Sequence, residues 1–195
     1  MKKLILDTAT DILFVGLMDD EKIIYNKTLA GRNNHSEHLI KIVSQALSLN
    51  NLKVKDLDEI IVGLGPGSYT GSRVSLVVAK MFAFTHNVIL KTASSLDMAF
   101  SGHFVKDGVY ALNLRAKKDY VYCNVIEVKN SLVIKKEEDN FLLKKDFFEK
   151  LNNKNIVFLE ENDIKFDLLV IVNKLRLETV ENIHSLEPNY LRKSL

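Results

Sequence analysis

Short apolar, β-prone runs open the chain. "KKLILD" and "DILFVGLM" are separated by "TAT", and "EKIIYNKTLA" follows a "DD" turn, which predicts three consecutive antiparallel strands in a meander. The period then changes. In "NNHSEHLIKIVSQALSLNN", Leu39, Ile42, Val43, Ala46 and Leu49 recur at helical spacing, and Asn34 with Glu37 three residues on resembles a capping box. "LDEIIVGLG" predicts the next strand, residues 71 to 86 a helix, "NVILKTAS" a short strand and "SLDMAFSGHF" a short helix. After Gly108 the pattern restarts. Strands are expected at "GVYALNL", "YVYCNVIEV" and "LVIKKE", a helix near "KKDFFEKL", a strand at "NIVFLE" and a helix across "FDLLVIVNKLRL". The restart at residues 103 to 108 predicts two α/β lobes, 1–104 and 105–195, with the last segment packing back on the first.

The helix at 71–86 has an unusual distribution. Ser72, Ser75, Ala79 and Ala83 make a small-residue stripe, while Val74, Leu76, Val77, Val78, Met81, Phe82 and Phe84 cover most of the remaining circumference. A helix apolar nearly all round is buried on more than one side, within its own domain or against a partner.

Composition removes several classes of function. Among 195 residues, 27 basic side chains face 25 acidic ones, and the lysines of "KKEEDNFLLKKDFFEK" are interleaved with acids. That is not a nucleic-acid footprint. The single cysteine, Cys123, allows no disulfide framework and no cysteine-rich zinc module, so a reducing, cytoplasmic setting is expected. Asp7 and Asp11 interrupt the apolar stretch after "MKK" before it reaches the length of a signal-peptide core, and no run approaches a membrane span.

Two segments offer chemistry. "DTAT" sets a carboxylate and two hydroxyls between strands, where they could contact a phosphate or simply close the hairpin through side-chain to backbone bonds. In "GPGSYTGSR", Gly65, Gly67 and Gly71 permit close backbone approach at the entrance to a helix, and Ser68 and Thr70 supply hydroxyls. It is no Walker loop, because Arg73 follows the last glycine where that motif needs a lysine before its Ser/Thr. Phosphate cradle and helix-packing turn both remain open. His35 and His38 share one helical turn without an H-E-x-x-H pattern, Asp97 and Glu59 show no acid/base partner, and Cys123 alternates with Val121 and Val125 as a core residue would.

"ILDTAT", "HSEHLIKIVSQAL", "GLGPGSYTGSRVSLVVAKMFA", "TASSLDMAF" and "LEPNYLRK" occur in an order and spacing that resembles the TsaB (YeaZ) family of threonylcarbamoyladenosine biosynthesis proteins. The resemblance runs from Leu4 to about Phe100 and resumes at Pro188. It implies an α/β, actin-like, Hsp70-like (ribonuclease H-like) fold: two lobes, each a mixed sheet flanked by helices. It also implies a non-catalytic subunit that supports the transferase TsaD, with the ATPase TsaE as a further partner, tRNA met only through the complex, and self-association when alone. No cofactor is expected to bind tightly, and ATP or ADP would sit at the partner interface. The resemblance points to Asp7, Thr8, Thr10, Gly65 and Gly67 for nucleotide, while the excess apolar circumference of the helices at about 35 to 49 and 71 to 86 marks Leu39, Val43, Ala46, Arg73, Leu76, Ala79, Lys80 and Ala83 as the expected partner surface.

The second lobe departs from the family pattern. "RAKKDYVY" stands where D-A-R-x-x-E-V-Y is expected, placing Arg115, Lys117 and Tyr120 at the aspartate, arginine and glutamate positions. Actin-like ATPases need acids around Mg²⁺ to neutralise the transferring phosphoryl group, so this departure argues against autonomous hydrolysis. Two other readings are an actin-fold kinase or ATPase using Asp7, Thr8 and the glycine loop, and a peptidase, for which no paired nucleophile and base is visible.

Overall fold

The computed structural model describes residues 1–31, 35–151 and 155–191. Its chain contacts divide into two units, Met1–Ser95 with Arg176–Asn189, and Leu96–Leu175 with the residues from Tyr190 onward. The first boundary therefore falls nine residues before the 104/105 division read from the strand restart. The reason is local. Lys165 N donates to Ala99 O, Gly102 N to Lys165 O, and Asp167 N to the Ser101 hydroxyl, which ties the segment after Ser95 to the second unit.

In the first unit, β1 (Lys2–Asp7), β2 (Ile12–Asp19) and β3 (Lys22–Ala30) form the expected antiparallel meander. β4 (Glu59–Gly63) and β5 (Ile89–Ala93) add in parallel on the other side of β1, and β10 (Glu178–Thr179) closes the far edge antiparallel to β5. The order is β10-β5-β4-β1-β2-β3, a mixed sheet. Two helices cover it. α1 (His35–Leu49) turns Leu39, Ile42, Val43, Ala46 and Leu47 inward. α2 (Tyr69–His86) carries the crossover between β4 and β5 and buries Leu76, Val78, Ala79 and Ala83 against Leu4, Leu6, Ile60 and Val62. Each large side chain so buried stabilises the unit by about 1.5–3 kcal/mol relative to exposure. α2 begins two residues before the predicted start because the Ser68 hydroxyl accepts from Gly71 N and caps it, and it ends where Asn87 enters the left-handed region at φ 55°. The Asn34–Glu37 capping box lies outside the described residues.

The second unit opens with α3 (Ser95–Phe100), whose first residue belongs to the other unit, and a 3-10 turn at Ser101–His103. β6 (Gly108–Arg115), β7 (Tyr120–Lys129) and β8 (Leu132–Leu143) run antiparallel, and β9 (Ile156–Leu159) joins β6 in parallel. α4 (Lys144–Lys150) places Phe147 in a core with Ala111, Val121, Cys123 and Val125. α5 (Leu168–Lys174) is shorter than the apolar run predicts, because Asp167 caps its start through Val170 N and the chain is extended again by Leu175.

β8 is twice the length that "LVIKKE" predicts, and the reason is electrostatic. Between Val133 and Phe141 its half-buried positions are Lys135, Glu137 and Asp139, so the apolar alternation that would advertise the strand is interrupted. Lys135 Nζ lies 3.0 Å from Asp97 and 2.8 Å from Asp139, while Asn124 Nδ2 donates to the same two carboxylates at 2.6 and 2.7 Å. These four side chains close a buried ring. Asp97 thus has the partner that the sequence does not show, and so does Glu59, paired with Lys91 at 2.6 Å. Burial raises the Asp97 carboxyl and Lys135 opposes it. Removing one member of a buried ion pair strands the others, which costs about 3–5 kcal/mol. Lys135→Met is therefore expected to lower stability by about that amount in urea unfolding, and Lys135→Arg by clearly less.

Candidate functional site

The parallel register brings the C-terminal ends of β1, β4 and β5 side by side, with Leu6 opposite Val62 and Gly63 opposite Ala93. In open α/β sheets this end is where ligands bind. Three turns meet there: residues 8–11 after β1, the glycine loop 64–68 after β4, and Ser94–Ser95 after β5.

Asp7 is fully buried at this junction. Its carboxylate accepts from the Ser95 hydroxyl and, at 2.9 Å, from Ala9 N. Ser95 Oγ in turn accepts from Gly65 N at 2.8 Å, and Ser95 N donates to Gly65 O. The carboxylate lies across β4 because residue 63 is glycine: a Cβ there would meet Asp7 Oδ2 at 1.8 Å. Burial pushes the Asp7 carboxyl up to about 6, opposed by the Ser95 and Ala9 hydrogen bonds.

The glycine loop is pressed against the first hairpin. Ser68 N donates to Ala9 O at 2.7 Å, and a Cβ on residue 67 would lie 2.2 Å from that same carbonyl oxygen. Thr8 Oγ1 donates to Gly71 O at 2.6 Å and accepts from Ser75 N at 3.1 Å, stitching the hairpin to the first turns of α2. Thr10 is spent locally, donating to Ile12 O and accepting from Ile12 N. The Gly65–Pro66 peptide is cis.

The structure thus brings together all five residues expected at a nucleotide, Asp7, Thr8, Thr10, Gly65 and Gly67, but turns them inward. Both hydroxyls already donate and accept, the carboxylate accepts from Ser95 and Ala9, and the Gly65 amide donates to the Ser95 hydroxyl. The packing-turn reading of the loop is the one this geometry supports. Sequence reasoning missed Ser95, the hydroxyl that joins all three turns. Its signal was present as "TAS" at the end of a strand parallel to the one before the glycines.

The expected partner surface needs a correction. Leu39, Val43, Ala46, Leu76, Ala79 and Ala83 all belong to the first unit's core, none more than 3% exposed. Small residues let α2 approach the sheet closely, so the stripe marks the inner face. Arg73 points outward, its guanidinium 4.0 Å from the Tyr69 ring centroid, and Lys80 is half-buried with its ammonium on the carbonyls of His184 and Leu186. The outward face of α2 holds Tyr69, Val77, Met81 and Phe84, between 47% and 64% exposed. With Arg73 these residues fall within an arc of about 120° at about 100° per residue. On α1, Ile40 is likewise exposed.

Other candidates are structural. Cys123 is buried, and burial pushes its thiol up to about 12, far from a nucleophile's range. His35 is buried at the start of α1 and His38 half-buried. Among the described residues no three His, Cys, Asp or Glu side chains come close enough together to hold a metal, and no helix is long and apolar enough to cross a membrane.

Two mixed sheets flanked by helices, the first built on a β-meander with parallel additions, define an α/β protein of the actin-like, Hsp70-like class. A family model described as TsaD, tRNA N6-adenosine threonylcarbamoyltransferase, matches residues 23–142. The tRNA threonylcarbamoyladenosine biosynthesis protein TsaB of Bacillus subtilis (strain 168) is 30% identical over 163 residues, covering 82% of this chain and 70% of that protein. The protein of the same name from Buchnera aphidicola subsp. Acyrthosiphon pisum is 23% identical over 207 residues, covering 91% and 93%. Among solved structures, a Pseudomonas aeruginosa protein described as similar to peptidase YeaZ shares the fold with a TM-score of 0.81 at 17% identity, over 98% of this chain and 99% of that one. The chain belongs to the TsaB (YeaZ) family of tRNA threonylcarbamoyladenosine biosynthesis proteins.

The raised Asp7 carboxyl carries a pH dependence. Between about pH 4 and 6 the folded state holds this proton and the unfolded state does not, so stability falls as pH rises through that window and is level above it. A shift of about two units corresponds to about 3 kcal/mol. Urea unfolding of the wild type and Asp7→Asn across pH 4–7 is expected to show a steeper decline in the wild type, because the variant keeps only the like-signed contribution of the raised Asp97 carboxyl.

Proposed function

We propose that this chain serves threonylcarbamoyladenosine formation on tRNA as a non-catalytic subunit, docking a TsaD-like transferase through the outward face of α2. The observation that carries the reading is the solvent-facing stripe of Tyr69, Arg73, Val77, Met81 and Phe84 on a protein of this family. Isolated apolar side chains on a surface are ordinary, but four of them aligned over four helical turns mark an interaction face. Their burial against a partner would remove apolar area from water at about 25 cal/mol per Å².

The chemistry within the first unit points the same way. Asp7 and Thr8, which an actin-fold kinase or ATPase would use, are committed to holding the glycine loop in place. Catalysis then resides in the partner, tRNA is met through the complex, and ATP or ADP bound at the partner interface would enlist a TsaE-like ATPase. When the partner is absent, the same apolar stripe favours a second copy of this chain.

Co-purification with the transferase subunit, followed by a tRNA modification assay, tests the reading. Val77→Asp and Met81→Asp are expected to leave the thermal midpoint within about 2 °C, because both side chains face solvent, while weakening the complex at least about tenfold. Ala79→Arg, by contrast, is expected to unfold the first unit, since it buries a charge beside Leu4 and Ile60. Full modification by the partner alone, with no detectable complex, would overturn the proposal.

A further inference from the structure

The residues returning to the first unit form a strap. β10 pairs with β5, Val180 N donates to Leu90 O at 2.9 Å, and Asn189 N donates to Leu64 O at 2.8 Å beside the glycine loop. Between these anchors the chain makes a turn organised by Asn182, whose Oδ1 accepts from His184 N and Ser185 N. Ile183 and Leu186 pack against the first unit's core. Lys80 ties this middle stretch to α2: its Nζ donates to His184 O at 3.1 Å and Leu186 O at 2.9 Å. Two carbonyls converging on an ammonium are charge-assisted bonds, the stronger kind.

Lys80 stands at one border of the outward arc of α2, a single turn before Phe84. The ring of His184 meets the exposed Phe84 ring edge-on at 5.0 Å. The strap therefore rims the exposed stripe along its length, from Phe84 towards the glycine loop.

We propose that Lys80 is the latch of this strap, and that the latched strap, through His184, fixes Phe84 and forms one rim of the face that receives the transferase subunit. This inference rests on the docking reading given above. Lys80 is a positioning residue, acting through the strap.

The test is Lys80→Met, which keeps the aliphatic stem and removes the ammonium, with Lys80→Arg as the conservative control. Hydrogen exchange on the full chain is expected to show the amides of Val180 and Asn189 exchanging about tenfold faster in Lys80→Met, with those of β1 and β4 unchanged, and protection restored in Lys80→Arg. Calorimetric titration with the transferase subunit is expected to show about tenfold weaker binding for Lys80→Met alone. Unchanged strap exchange, or a loosened strap with undiminished affinity, would overturn the latch. Loss of β1 and β4 protection would overturn it too, by making Lys80 a residue of general stability. A wild type that does not bind the subunit at all would instead overturn the docking reading, whatever the strap does.

Discussion

The first unit depends on the contact between two backbone turns. The carbonyl of Ala9 receives Ser68 N and sits where residue 67 would carry a side chain, while the Thr8 hydroxyl spans Gly71 O and Ser75 N. That contact sets the direction in which α2 leaves β4, and so which of its faces meets the sheet. Asp7 locks the junction from beneath by accepting from Ser95 and Ala9. An ionisable group in a dry place is costly, and its raised proton affinity records that cost. The same groups that would make a phosphate cradle, if turned outward, are used here as internal joinery.

From this entry angle the surface of α2 follows. Small side chains allow a close approach to β1 and β4, and the larger ones are left to divide between the flanks and solvent. Phe82 and Val74 pack partly against the core, whereas Val77, Met81 and Phe84 remain outside. An outward apolar stripe and an inward polar junction are thus two results of one geometry. On the docking reading proposed above, the stripe meets the transferase subunit and the inward junction leaves the chemistry to it.

Much of this fold was legible in residue patterns, and the failures have physical causes. Short apolar, β-prone runs announced β1, β2 and β6, and the helical recurrence of Leu39, Ile42, Val43 and Ala46 announced α1. The second half of β8 was hidden because the inward positions leading into it, Lys135, Glu137 and Asp139, are charged and satisfy one another or Lys150, breaking the alternation before Phe141 and Leu142. β10 was hidden because two polar residues have no period to show. The site was half legible. Its residues and their convergence could be read, since hydroxyls, a carboxylate and glycines at strand ends are conspicuous. Their direction could not, because whether Thr8 faces a ligand or Gly71 O is decided by the packing of a loop sixty residues away. The helix face was inverted for a similar reason: an all-round apolar helix offers no contrast from which to choose an inner side.

The interleaving of the two units has a consequence for how the protein is made. β5 acquires its neighbour β10 only after Leu96–Leu175 has been synthesised, so an emerging chain carries the first unit with one parallel edge unpaired. Unpaired strand edges template association with other chains. During those 80 residues of translation, or about 4–16 s at 5–20 residues per second, the nascent first unit exposes a strand edge that the finished protein conceals.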